Sequence, residues 1–259
     1  MSYILKEISD QIAVLTINRP DAMNAMNDRV VSELESAVQS CIDDQNVGVI
    51  ILTGSGDKAF VAGADIKKMQ TMGQEGALAF GKAGQQMTLA IENSPKPVIA
   101  AVNGFALGGG CEISMACHIR VASESATFGQ PEVLLGILPG WGGTQRLPRL
   151  VGTGLANEII TTGRMVSASE GKSIGLVNHV VPPGELMDKC MEIAHQILKN
   201  GPKAIAQSLD CIRQGIGTKI EEGLSIEVKN FSKLFGTTEA KEGLTAFVEK
   251  RKPNFRNKI

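Results

Sequence analysis

The chain has few aromatic residues, few histidines and no excess of either charge. Phe, Trp and Tyr make up 4% of its 259 residues, too few for the stacking platforms that hold single-stranded nucleic acid. Lys and Arg number 26 against 27 Asp and Glu, a formal charge of −1. No basic field is therefore on offer to nucleic acid or to an anionic membrane surface. No apolar stretch approaches the roughly 18 residues of a membrane span. The first residues, Met1-Ser2-Tyr3-Ile4-Leu5-Lys6-Glu7, hold neither a basic leader nor a long apolar run. The five cysteines (Cys41, Cys111, Cys117, Cys190 and Cys211) form no Cys-x-x-Cys and no metal spacing. An odd set of this kind without a secretory leader is expected as reduced thiols in a cytoplasm. The histidines (His118, His179 and His195) pair by spacing with no Cys, Asp or other His. Zinc chemistry has no ligand cluster, and serine or cysteine hydrolysis has no placed base.

What is present suits a globular protein with a sizeable core. Hydrophobic residues are 43% and charged residues 20%, globular values at a length long for one domain and short for two. Residues 3–18 alternate around Ser9-Asp10 and predict a β-hairpin. After a loop of turn formers, Asp28 is expected to cap a helix with apolar residues at Val30, Val31, Leu34, Ala37, Val38 and Cys41. Val47–Leu52 reads as a strand buried on both faces. Helical sequence over about 74–93 leads into strands at Val98–Val102 and Ile119–Ala122. A Gly- and Pro-rich loop runs from Phe128 to Gly143, where Thr144 is expected to start a helix. Ser167-x-x-Glu170 marks a further helix start, and a late strand lies at Val177–Val181. From Pro183 onward only helical periodicity remains. Strands alternating with helices predict stacked βα units with parallel strands, followed by a helical part that packs on a neighbour.

The chemistry gathers in glycine-rich places. The apolar run ending at Val102 stops at Asn103-Gly104, and Gly108-Gly109-Gly110-Cys111-Glu112 opens a helix-compatible stretch. Glycines there let a ligand approach the backbone, and the N–H groups of a helix start face it. Val61-Ala62-Gly63-Ala64-Asp65-Ile66 is a second stretch where small residues bring backbone close to something. Glu112 and Glu132 both follow glycines and lie outside charge runs. Two carboxylates of different protonation can serve as base and acid on a small substrate. The competing readings are a first-turn dipole charge for Glu112 and a loop ion pair of Glu132 with Arg146 or Arg149. Gly76–Ala83 imitates a phosphate loop, but Ala83 stands where Ser or Thr must ligate magnesium, and the segment reads as helix.

The chain resembles the crotonase (enoyl-CoA hydratase/isomerase) superfamily over essentially its full length, most closely its short-chain hydratases. The matching pieces are Asn18-Arg19-Pro20 with Asn24-Ala25-Met26, Phe60–Ile66, Val102–Glu112, Phe128–Glu132, Pro139–Leu147 and Phe247–Phe255. The resemblance implies an α/β fold: a crotonase-type spiral of ββα/βαβ turns over residues 1–195, then a helical trimerisation subdomain over 196–259. It implies homotrimers or homohexamers. It implies an oxyanion hole made by the backbone N–H groups of Ala64 and Gly109, with Glu112 activating water and Glu132 delivering a proton. Gly140 would help hold the water. Contacts to a coenzyme A thioester would come from Ala22, Ala62, Asp65, Ile66, Lys67, Trp141 and Lys250, the last from an adjacent subunit. Trp141 would either shorten the acyl pocket or pack on the back of its own loop. No cofactor is implied beyond the coenzyme A of the substrate, and no metal. The expected reaction is reversible hydration of a short trans-2-enoyl-CoA. The rivals are another reaction of the superfamily (Δ3-Δ2 isomerisation or a pathway-specific dehydration) and an RNA-binding or non-catalytic role on the same scaffold.

Overall fold

The computed structural model describes residues 2–256. Strands β1 (Ile4–Ser9) and β2 (Ile12–Ile17) pair antiparallel, with Asp10 and Gln11 turning the hairpin at positive φ. Helix α1 (Asp28–Asp43) follows, and its cap lies one residue before the expected one. Asn27 is extended (φ −108°, ψ 177°), and its side chain accepts a hydrogen bond from the Val30 N–H. Asp28 already has helical backbone, so its carboxylate favours the helix dipole instead of capping.

Strands β3 (Val49–Gly54), β5 (Val98–Val102), β7 (Ile119–Ser123) and β10 (His179–Val181) run parallel beside the hairpin, in the order β1-β2-β3-β5-β7-β10. Their apolar runs follow from burial on both faces. Ile50, Leu52 and Ala100 face α1 and α3 (Gln74–Glu92), while Val49, Ile51 and Ile99 pack with Leu186, Cys190 and Ala194 of α8 (Leu186–Leu198).

A second sheet is not legible in the sequence. Strands β4 (Ala59–Val61), β6 (Phe105–Leu107), β8 (Thr127–Gly129) and β9 (Met165–Ser167) pair in that order, with β8 and β9 antiparallel. Three residues carry no period; long-range pairing makes these strands. The chain therefore passes from β5 through β6 before α4 (Gly109–Ala116) begins, where the sequence suggests only a turn.

Short helices α2 (Ile66–Met69), α5 (Gly143–Val151), α6 (Thr153–Thr162) and α7 (Ala168–Ser173) complete the core. Helices α9 (Pro202–Gly215), α10 (Ile220–Leu234) and α11 (Thr238–Val248) close the chain. Residue 195, after which the helical part was expected to begin, lies within α8, which runs unbroken to Leu198. Among the described residues no helix is long and apolar enough to cross a membrane.

Candidate active site

The three glycines before Cys111 meet three different needs. Gly108 sits at φ 50°, ψ −120°, a conformation that a side chain resists, and a Cβ there would lie 2.8 Å from Glu132 Oε1. At Gly109 a Cβ would lie 2.5 Å from the Trp141 ring, and at Gly110 it would collide with the Val61 carbonyl oxygen. As the first residue of α4, Gly109 has an N–H with no acceptor inside the helix. The other small-residue stretch runs past Met26 as a parallel bridge with Ala64. The Met26 N–H donates to Gly63 O (2.9 Å) and the Asp65 N–H to Met26 O (2.8 Å). That alternation turns the Ala64 N–H away from the bridge, and among the described residues it finds no acceptor. Ala64 and Gly109 line the same cavity.

The loop after β2 holds this stretch in place. Arg19 binds Asp65 at 2.8 Å and donates to Ala25 O at 2.9 Å. Buried Asn24 donates to Ala59 O (2.7 Å) and accepts from the Arg19 N–H (2.9 Å). Arg19 keeps the Asp65 carboxyl below its ordinary pKa. Asp65 is thus engaged by Arg19.

Glu112 is 2% exposed, and a single oxygen, Oε1, accepts from the N–H groups of Trp141 and Gly143, both at 2.7 Å. Burial raises its pKa, and those two donors oppose the rise. Glu132 lies in the first turn of the short 3-10 helix Pro131–Leu135, directly after Pro131. Its Oε2 is buried without a partner among the described residues. Burial pushes its pKa from 4.5 to about 7, and the Glu112 charge adds to the rise. Glu112 is braced by two N–H donors, and one oxygen of Glu132 has none among the described residues, in one cavity. The ion-pair alternative for Glu132 fails: Arg146 binds Glu92 at 2.7 Å, and Arg149 Nη1 donates to Gln145 O.

The cavity holds about 740 Å³ and is mostly apolar, with Met69, Met72, Leu134, Leu135, Ile137 and Leu138 around the acids. Ala62, Ile66, Gly140 and Trp141 also line it, whereas Ala22, Asp65, Lys67 and Lys250 do not. Trp141 is 4% exposed, sits edge-on to Phe80 (5.2 Å between centroids), and lodges its ring against Gly84 and Gly109. The ring therefore packs on α3 and α4, not on the back of its own loop, and it also forms one wall of the cavity.

The N–H donors of Trp141 and Gly143 were not expected as partners of Glu112, since a loop's fold onto a helix 30 residues earlier leaves no mark in local pattern. The wall of Leu134, Leu135, Ile137 and Leu138 had a signal, an apolar run directly after Glu132. Two letter patterns lose their meaning in the fold. Gly76–Ala83 lies within α3, so it makes no phosphate loop. Gly171-Lys172-Ser173-Ile174-Gly175 has the spacing of a nucleophile elbow, but Ser173 ends α7 and its hydroxyl donates to Glu170 O (2.7 Å). His118 accepts at Nδ1 from the Val98 N–H (2.9 Å), a structural role. Among the described residues no cluster of three or more His, Cys, Asp or Glu could hold a metal ion.

Residues 7–258 match the family described as enoyl-CoA hydratase/isomerase. The chain is 51% identical over 255 residues to a crotonyl-CoA hydratase of Syntrophomonas wolfei, covering 98% of each protein. It is 48% identical over 259 residues to a short-chain-enoyl-CoA hydratase of Clostridium acetobutylicum, covering 100% of this chain and 99% of the relative. Its fold superposes on the crystal structure of an enoyl-CoA hydratase from Bacillus anthracis with a TM-score of 0.95 at 41% identity, covering 99% of this chain and 100% of that one.

Proposed function

The chain belongs to the enoyl-CoA hydratase/isomerase family, and from that premise we propose that it reversibly adds water, syn, across the double bond of short trans-2-enoyl-CoA thioesters to give 3-hydroxyacyl-CoA. The observation that carries this reading is the pair Glu112 and Glu132, set in one apolar cavity with different hydrogen-bond surroundings, two N–H donors on Glu112 and none on Glu132 Oε2 among the described residues. Ionised Glu112 takes a proton from water as the oxygen bonds to C3. The electron pair of the double bond moves toward the thioester carbonyl, and the N–H groups of Ala64 and Gly109 receive the developing negative charge. Neutral Glu132 then gives its proton to C2. The pair is left with the proton on Glu112 and the charge on Glu132, and exchange with solvent resets it. Each oxyanion donor is worth about 2.7–4 kcal/mol of barrier in sites of this kind. The reaction changes no oxidation state, so the proposal includes no redox cofactor, and donor hydrogen bonds suffice to polarise the carbonyl.

Ala62, Ile66 and Trp141 are the substrate contacts the cavity wall supports. Gly140 lies on that wall beside Glu112 and is assigned to the attacking water. Ala22 and Lys67 lie outside the cavity wall and are assigned to the adenine and phosphate end, with Lys250 supplied by a neighbouring subunit. The Trp141 ring limits the acyl end, which favours short chains.

The test follows loss of enone-thioester absorbance on mixing the protein with crotonyl-CoA, beside Glu112→Gln and Glu132→Gln. Each variant should fall by about two orders of magnitude or more. A wild-type protein silent towards crotonyl-CoA and longer 2-enoyl-CoAs would remove the hydratase reading.

A further inference from the structure

The loop that grips Glu112 is itself gripped from behind, peptide by peptide. Gln85 Nε2 donates to Gly140 O at 3.0 Å, and the N–H of that same peptide, on Trp141, donates to Glu112 Oε1. The next carbonyl, Trp141 O, accepts from Arg146 Nη1 (2.8 Å) and from Thr88 Oγ1 (3.2 Å). Gly142 O then accepts the N–H groups of Gln145 and Arg146, and its own peptide presents the Gly143 N–H to Glu112. Arg146 is held in turn by both oxygens of Glu92, at 2.7 and 3.2 Å. Gln85, Thr88, Glu92 and Arg146 do not line the cavity that holds the two acids; they border a separate one behind the loop.

We infer that Gln85 and the Glu92–Arg146 pair are positioning residues of the reaction, holding the two N–H groups that aim and stabilise the Glu112 carboxylate. This rests on the reading of Glu112 as the base. Two physical reasons combine: the Gly140–Trp141 peptide accepts from Gln85 and so donates more strongly through the Trp141 N–H, while Arg146 and Thr88 fix the intervening Trp141–Gly142 peptide and so keep the two donating peptides on either side of it from turning. Without the rear partners the two N–H groups are free to turn, and the ionised carboxylate loses donors it needs inside an apolar cavity. The charged groups around Glu112 are few. Arg146 comes from α5, with Glu92 of α3 behind it, and Glu132 comes from the turn after β8. Strands β4 and β6, which also pack on α4, carry no charged side chain. Cys111 on α4 is held neutral by burial.

The experiment measures kcat and KM for crotonyl-CoA across pH in the wild type, Gln85→Ala, Arg146→Met, Arg146→Lys and Glu92→Gln. In parallel, infrared difference spectra against Glu112→Gln follow ionisation of the Glu112 carboxyl without any turnover. Gln85→Ala and Arg146→Met should lower kcat about 10-fold or more, leave KM within about twofold, and move the Glu112 midpoint upward. Arg146→Lys, which keeps the charge but loses the fork, should restore the midpoint more than the rate. An unchanged kcat and midpoint in Gln85→Ala and Arg146→Met overturns the inference. So does a fall in thermal stability with the midpoint unmoved. Gln85 is exposed, so its variant decides the matter even if Arg146→Met does not fold. Undiminished turnover in Glu112→Gln would strike the base assignment itself and the positioning role with it, a result separate from any behaviour of the rear variants.

Discussion

At the scale of single residues, the two acids differ in what surrounds them. Glu112 is offered two N–H donors, while Glu132 Oε2 is offered none among the described residues. Hydration needs Glu132 protonated, so initial rates of crotonyl-CoA hydration should fall as pH rises through about 7. A level profile across that point would dismiss Glu132 as the acid. The same shift bears on stability. Below 4.5 folded and unfolded chains both hold the Glu132 proton. Between 4.5 and about 7 the unfolded chain has released it and the folded chain has not, so stability is lost as pH rises; the full penalty stands above 7. Glu132→Gln removes that penalty. Its melting temperature should match the wild type near pH 4.5 and exceed it at alkaline pH, as differential scanning calorimetry would show.

At the scale of elements, the opening of α4 decides the site. Gly109 faces the Trp141 ring, which has room to move if the ring is made smaller, whereas Gly110 faces a backbone carbonyl that has none. Gly110→Ala should therefore cost about 3 kcal/mol in urea unfolding. Gly109→Ala should lose activity and regain part of it when Trp141→Phe is added. Gly76 in α3 is the contrast, since a Cβ there meets only Met72 carbons at ordinary contact distance. Gly76→Ala should stabilise the protein by about 0.5–1 kcal/mol. These glycines look alike in the sequence, and only the packing tells them apart. The hairpin, α1, α3 and the Ser167 cap were readable because each depends on residues near in sequence; Ser167 does accept from the Glu170 N–H. Strands β4, β6, β8 and β9 were not, because what makes them strands is a partner more than 20 residues away.

At the scale of the whole molecule, the last helices leave a large apolar face uncovered. Ile220, Leu224, Val228, Phe231 and Phe235 follow one another at helical spacing along and just past α10, all more than half exposed, and Phe247 of α11 is 84% exposed. A stripe of that size on a single chain calls for a partner. We propose the homotrimer or homohexamer that the sequence led us to expect, with the helical part beyond residue 195 supplying the contacts. Light scattering coupled to size exclusion should find a trimer or hexamer, and Val228→Glu with Phe231→Glu should reduce it to monomer. A monomeric wild type would defeat the proposal.

What the sequence alone determined was the class of fold and the identity of the candidate acids. Apolar runs, alternation and glycine clusters are local records of burial and close approach, and Glu112 and Glu132 stand out because isolated carboxylates beside glycines need a reason. What the tertiary structure decided was their difference. Whether a carboxyl meets two N–H groups or none, whether an indole ring lies against a glycine, and whether Arg146 pairs with Glu92 or Glu132 depend on segments tens of residues apart coming together. Such contacts are set by packing and hydrogen-bond geometry in three dimensions, and no period of the chain encodes them.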